Sequence, residues 1–258
     1  MENVIFWFSG SGNSLLAAKK IADAIGDCRL IRITEKTVGE KISVEADRLG
    51  LVFPVHAWGP PDMVERFILS LKTVNARYAF SLAVNAGSVE NTQGIVNKLM
   101  KAKGREMNAF FDLRTPGNLG MRRRFDAESA AAELRKAETK LFDIIADIKA
   151  RDTYPMPPVT VARRILKSGF AHAMVRKMAR GFDKNFSVTD SCNRCGECVR
   201  LCPSGNIEIT GLGKVIWKHC CNACMACISR CPRKAIRFRN ADPENCYRNP
   251  LVKNSDYE

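Results

Sequence analysis

The chain has 258 residues, 46% of them hydrophobic, which is enough for two domains and a sizeable core. No apolar run approaches the length of a membrane span. Val4 to Phe8 passes straight into a Ser/Gly loop rather than a secretory cleavage region, so the expectation is a cytoplasmic protein in a reducing compartment. A formal net charge of +14 predicts an acidic partner or surface, while scattered basic residues without a binding motif argue against nucleic acid.

In chain order, Val4-Ile5-Phe6-Trp7-Phe8 reads as a buried strand. The loop Ser9 to Ser14 leads into a helix with Leu15, Leu16, Ala18, Ile21, Ala22 and Ile25 at helical spacing. Further strands are predicted at Cys28 to Ile33, Leu49 to Val55, Tyr78 to Val84 and Asn108 to Leu113. Helices are predicted after Pro60-Pro61, after Ser88 as far as about Lys103, and from Ala127 to Ala150. Five strands alternating with helices predict an α/β, doubly wound, five-stranded parallel sheet over residues 1–150.

Sheets of this kind bind ligands beyond the carboxyl ends of their strands. Three loops there have binding chemistry. Ser9, Gly10, Ser11, Gly12, Asn13 and Ser14 offer hydroxyls and backbone amides at a helix start, a cradle for a phosphate. Leu15 stands where the dinucleotide fingerprint needs its third Gly, and the P-loop Lys is absent. Pro54, Val55, His56, Ala57, Trp58 and Gly59 form the second loop, whose indole suits stacking on a flat ring; packing under the next helix is the alternative for Trp58. Asn85, Ala86, Gly87 and Ser88 form the third, small enough for amides to approach a polar ring edge, or a capping turn at Ser88.

Residues 151–186 join this domain to the next. After Pro155, Pro157 and Pro158, apolar residues from Val161 to Phe182 recur at helical spacing between Arg and Lys. A basic amphipathic helix can lie on an anionic membrane. The expectation is instead a connecting helix whose apolar face packs on a neighbouring domain.

Residues 187–240 carry two quartets, Cys192-x-x-Cys195-x-x-Cys198-x-x-x-Cys202-Pro203 and Cys221-x-x-Cys224-x-x-Cys227-x-x-x-Cys231-Pro232. A shift of 29 positions superimposes them, which implies a pseudo-twofold pair of loop-plus-helix units. Each matches the bacterial run that holds [4Fe–4S] clusters, in which the fourth Cys ligates the other cluster. Cys192, Cys195, Cys198 and Cys231 are then one ligand set, and Cys221, Cys224, Cys227 and Cys202 the other. Zinc and disulfides are the alternatives, but zinc ligands usually come as two pairs with a longer spacer. Ile207-Glu208-Ile209 and Val215-Ile216-Trp217 flank Gly211-Leu212-Gly213 as a short hairpin. Residues 241–258 read as a C-terminal tail, loose or draped over the surface.

Ser9-Gly10-Ser11-Gly12-Asn13-Ser14 resembles the flavodoxin pattern [ST]-x-[ST]-G-x-[ST], and residues 187–240 resemble the two-cluster ferredoxins. With Pro54-x-x-Ala57-Trp58-Gly59 and Thr115-Pro116-Gly117-Asn118, the chain resembles the flavodoxin–ferredoxin fusion family of anaerobes. That resemblance implies FMN and two [4Fe–4S] clusters. It also implies an electron-transfer role linking one-electron, low-potential carriers to a redox partner protein, here with an acidic docking surface. His56 departs from the aromatic residue common at its position in the family. Two other readings remain open: a flavin-dependent reductase of a small substrate or activator of a cobalamin or radical enzyme, and a ferredoxin whose flavodoxin domain only docks partners. There is no nicotinamide motif and no nucleophile–base set, so no catalytic residue is assigned.

Overall fold

The apolar runs become strands because their side chains are buried on both faces of one sheet. In the computed structural model, which describes residues 1–117, 126–239 and 245–258, β1 spans Asn3–Trp7, β2 Cys28–Arg32, β3 Val44–Pro54, β4 Val74–Asn85 and β5 Ala109–Arg114. Every pairing is parallel and the order is β2-β1-β3-β4-β5. That is the order of the flavodoxin-like fold, with its switch point between β1 and β3. The period-two alternation of a strand sends Ile5 and Trp7 to one face, and Val4 and Phe6 to the other, where Phe8 just beyond β1 joins them. Helices α1 (Asn13–Ile25) and α5 (Ala127–Ala150) cover the first face, and α3 (Asp62–Ser70) and α4 (Thr92–Lys101) the second; a short α2 (Glu35–Gly39) lies at the edge. Phe6 and Phe67 pack in the second core with ring planes tilted at 48° and centroids 4.6 Å apart.

Two strands start earlier than their apolar runs suggest. β3 begins at Val44 and β4 at Val74, where Glu45 and Asn75 interrupt the hydrophobic pattern while backbone pairing continues. α4 starts at Thr92 rather than directly after Ser88.

The cysteine-bearing part is a small separate unit. β6 (Phe186–Val188) pairs antiparallel with β9 (Ile236–Phe238), and β7 (Ile207–Ile209) with β8 (Val215–Trp217). The latter is the hairpin expected around Gly211–Gly213. Helices α8 (Glu197–Leu201) and α9 (Ala226–Ser229) follow equivalent cysteine loops, as the internal repeat requires. Ile207, Val215, Ile228, Ile236 and Phe238 form its own core.

Two expectations are corrected here. The connecting helix consists of α6 (Val161–Ile165), a π-helical stretch Leu166–Ala171 and α7 (His172–Ala179), and it does not pack through its apolar side. Val161, Ile165, Leu166, Phe170 and Met174 are exposed, while Ser168 and His172 are buried. The reason is that the surface beneath offers Glu65, Glu90 and free carbonyls, which bind polar side chains. The C-terminal tail is not loose over its described residues. Tyr247, Asn249, Val252 and Tyr257 are buried, and Tyr257 lies edge-on to Trp7 between the guanidinium groups of Arg32 and Arg230.

Those contacts hold the two units together. Arg32 donates to the Leu201 carbonyl, the Glu35 N–H to the Pro203 carbonyl at 2.8 Å, and the Met63 N–H to Asn222 Oδ1 at 3.1 Å. Each tether satisfies a backbone group that burial would otherwise leave unpaired.

Candidate functional site

A cavity of about 450 Å³ opens at the carboxyl ends of β1, β3, β4 and β5. Its size falls within the range of small-molecule sites. Four strand-end loops line one side. Ser9, Gly10, Ser11, Asn13 and Ser14 come from the first loop, Pro54, Val55, His56 and Ala57 from the second, Asn85 and Ala86 from the third, and Thr115, Pro116 and Gly117 from the fourth. Asn118 lies outside the described residues. The other wall comes from α7 and from Asn222, Ala223, Cys224 and Met225 of the second cysteine loop.

The first loop is held by its carbonyls. Tyr257 Oη donates to the Gly10 carbonyl at 2.8 Å, and Arg230 and the Asn249 N–H both donate to the Ser11 carbonyl. Ser9 Oγ accepts from the Gly12 N–H at 3.1 Å. Asn13 is fully used as a clamp: its amide nitrogen donates to Thr115 Oγ1 and the Pro116 carbonyl, and its oxygen accepts from Tyr247 and Asn249. The N–H groups of the first turn of α1 have no intrahelical acceptor, and Asn13 and Ser14 of that turn line the cavity. Gly12 has φ 106, a left-handed conformation that suits glycine, and Arg230 lies directly against it.

Not every expected residue faces the cavity. Gly12, Trp58, Gly59, Gly87 and Ser88 are not among its lining. Trp58 is turned aside: its backbone is left-handed at φ 64, its carbonyl accepts from Ser168, and Lys167 lies over its ring at 5.7 Å. Gly59 leaves room for the His172 ring, which a Cβ would strike. Ser88 bonds Glu90 instead of capping α4.

Residues unassigned by sequence reasoning fill the gap. His172 presents Nδ1 to the carbonyls of His56 and Ala57 at 3.1 and 3.2 Å and Nε2 to Glu65 at 2.9 Å; Arg176 also pairs with Glu65. One helical turn separates His172 from Arg176, so α7 sets both over Glu65. His56 lines the cavity, and burial, reinforced by nearby His172, pushes its pKa down to about 4. It is a neutral ring at ordinary pH.

The cysteines sort into the two expected sets. Cys192, Cys195, Cys198 and Cys231 line one small cavity; Cys202, Cys221, Cys224 and Cys227 line another. Left-handed backbone at Arg194, Gly196, Ala223 and Met225 curls the two loops inward. Backbone N–H groups of Asn206, Ala223 and Ala235 point at the sulfurs of Cys202, Cys221 and Cys231, each at 3.3 Å. Burial and neighbouring cysteines push Cys221 up to about 12, and Cys198 and Cys224 to about 11. As free thiols these groups are protonated, and any metal must displace those protons. Among the described residues, no group of three or more His, Cys, Asp or Glu converges closely enough for one metal ion. Cys220 is exposed, bonds Asn206 and lines neither cysteine cavity.

No family model and no curated protein matches the chain. Similar solved structures include a rubredoxin oxygen:oxidoreductase from the anaerobe Desulfovibrio gigas, at 15% identity over 58% of this chain and 36% of that one, TM-score 0.35. An FMN-dependent NADH-azoreductase from Bacillus anthracis in complex with FMN shares 10% identity over 58% of this chain and 100% of that one, TM-score 0.40. The Trp repressor binding protein from Bacillus subtilis shares 18% over 52% and 96%, TM-score 0.35. Likenesses this distant carry no argument about function. The flavodoxin-like fold rests on the order and direction of the five strands.

Proposed function

We propose that this chain is an electron-transfer protein in which FMN in the 450 Å³ cavity exchanges electrons with two [4Fe–4S] clusters held by the cysteine quartets. One observation carries the reading: the strand-end loops and the second cysteine loop wall the same cavity, and Gly10 is so close to the Cys224 carbonyl that a Cβ would overlap it.

The donor set fits a flavin nucleotide. Amides of the first α1 turn and the hydroxyls of Ser11 and Ser14 suit a phosphate, while Pro54, Val55, Ala57 and Pro60 give apolar walls for a ring. The cysteine sets fit cubanes because each brings four sulfurs around one small cavity, with backbone amides aimed at sulfur in both. When bound, FMN supplies two-electron chemistry that can proceed in single-electron steps, and each cluster carries one electron.

The residues of this chain have narrower tasks. The Ser9–Ser14 loop fixes the nucleotide end. His56 keeps a neutral edge on the cavity, and the His172–Glu65–Arg176 network closes it on the α7 side, limiting water. The Gly10–Cys224 contact makes transfer intramolecular, so proximity replaces diffusion.

Anaerobic purification with iron, sulfide and acid-released flavin assays tests this. About eight irons, eight sulfides and one FMN per chain support it. Iron and sulfide with no flavin, even after adding FMN, would leave the first domain as a docking module. Metal without sulfide would remove the clusters.

A further inference from the structure

The helical segment 161–179 is built inside out. Four of its polar side chains reach the protein: Ser168 donates to the Trp58 carbonyl at 2.9 Å and accepts from the Asn91 N–H at 3.0 Å, Lys167 reaches Glu90 at 2.8 Å, and His172 and Arg176 hold Glu65. Its large apolar side chains face outward, with Ile165 61%, Leu166 66% and Phe170 73% exposed. Val175 and Met178 line the central cavity, where a ligand would cover them. Val161, Ile165, Leu166, Phe170 and Met174 lie outside it and form the unpartnered row.

Charge says what covers that row. From residue 153 to 182 the chain has six Lys or Arg and no Asp or Glu. Arg163, Arg164, Lys177 and Arg180 are exposed beside the apolar row. All six residues from Val161 to Leu166 are exposed, with only Arg163 among them reaching back to an acid of the body, Glu90, at 3.9 Å among the described residues. An exposed apolar ridge between cations suits a soft anionic medium that closes around it. We propose that this face docks the protein on an anionic lipid bilayer, with the apolar row at the headgroup–acyl boundary and the cations on lipid phosphates. No helix among the described residues is long and apolar enough to cross the membrane, so the segment lies on the surface. The proposal does not depend on flavin or clusters.

The test is co-sedimentation of the full-length protein, prepared anaerobically, with phosphatidylcholine vesicles with and without phosphatidylglycerol, at low and high salt. Apparent affinity should be about tenfold or more higher for the anionic vesicles and should fall with salt. The double variant Leu166→Ser, Phe170→Ser should weaken binding about tenfold, as loss of buried apolar area requires, with iron, flavin and thermal midpoint unchanged. Absence of binding to anionic vesicles overturns the proposal, as does binding that the double variant does not weaken. A dimer that the same variant splits, without vesicle binding, would assign the face to a second copy and equally overturn it.

Discussion

Asn13 spends both ends of its side-chain amide on fixing a loop. Its four hydrogen bonds join the first loop to Thr115 and Pro116 and to the tail at Tyr247 and Asn249. Asn13→Ala leaves buried partners unsatisfied and should lower stability by about 1–3 kcal/mol, read as a lower urea midpoint with an unchanged slope. Ser11→Ala is the complementary change. Ser11 lines the cavity, and among the described residues its bonds are to its carbonyl, so losing the hydroxyl should weaken FMN binding about tenfold or more while the urea midpoint stays put. Unchanged affinity would move the phosphate elsewhere. Gly12→Asp separates these effects poorly, because a side chain there meets Arg230 as well as any phosphate.

His56 gives a pH signature at the same scale. Its pKa falls from an ordinary 6.5 to about 4 on folding, so between those values the unfolded chain binds more protons. Stability is full above pH 6.5 and should decline as pH falls toward 4, by on the order of 3 kcal/mol. His56→Phe should flatten that slope in denaturant titrations at pH 7 and pH 4.5. That Ser9, Gly10, Ser11, Asn13 and Ser14 line a cavity beyond β1 was legible in the sequence, because a Ser/Gly loop between a buried strand and a helix marks the strand's carboxyl end. The position of Trp58 was not. An indole after a strand reads as a stacking surface, but its left-handed backbone and the bond from Ser168 depend on a helix more than a hundred residues away.

Among the elements, the two cysteine loops were the most legible, since the 29-residue repeat encodes their exchange. Cys202 lies in the cavity of Cys221, Cys224 and Cys227, and Cys231 in that of Cys192, Cys195 and Cys198. Cys202→Ser should therefore give the same iron loss and the same change in the low-temperature EPR spectrum as Cys224→Ser, and differ from Cys195→Ser. A match to Cys195→Ser would contradict the crossing. The helical segment 161–179 was legible as a helix and misleading as a packing element. Helical periodicity reveals an apolar face but not which way it points; here Glu65 and Glu90, on the surface below, decide the orientation.

At the scale of the whole molecule, sequence patterns describe two units, and their junction is tertiary information. The strand order puts the cavity-lining loops at one end of the sheet, and the second cysteine loop meets them there. The tail was invisible as a structural element because it is short and irregular, yet Tyr257 inserts between Arg32 and Arg230 and donates to Gly10. Arg230 immediately precedes Cys231 and donates to Ser11 and Val252, so the second cysteine segment, the Ser9–Ser14 loop and the tail share one buried guanidinium. Removing residues 245–258 should loosen the seam more than either unit, appearing as a separate early transition on heating with most of the iron retained.

The central claim is that electrons pass between flavin and clusters within one chain. The most direct measurement is photoreduction of the anaerobic protein by less than one electron per chain, following flavin and cluster absorbance over a tenfold range of protein concentration. The account predicts exchange between the two signals at a rate independent of concentration, slowed by Gly10→Val, which forces the loop from Cys224. A rate proportional to concentration would mean that electrons pass between molecules, and would contradict it.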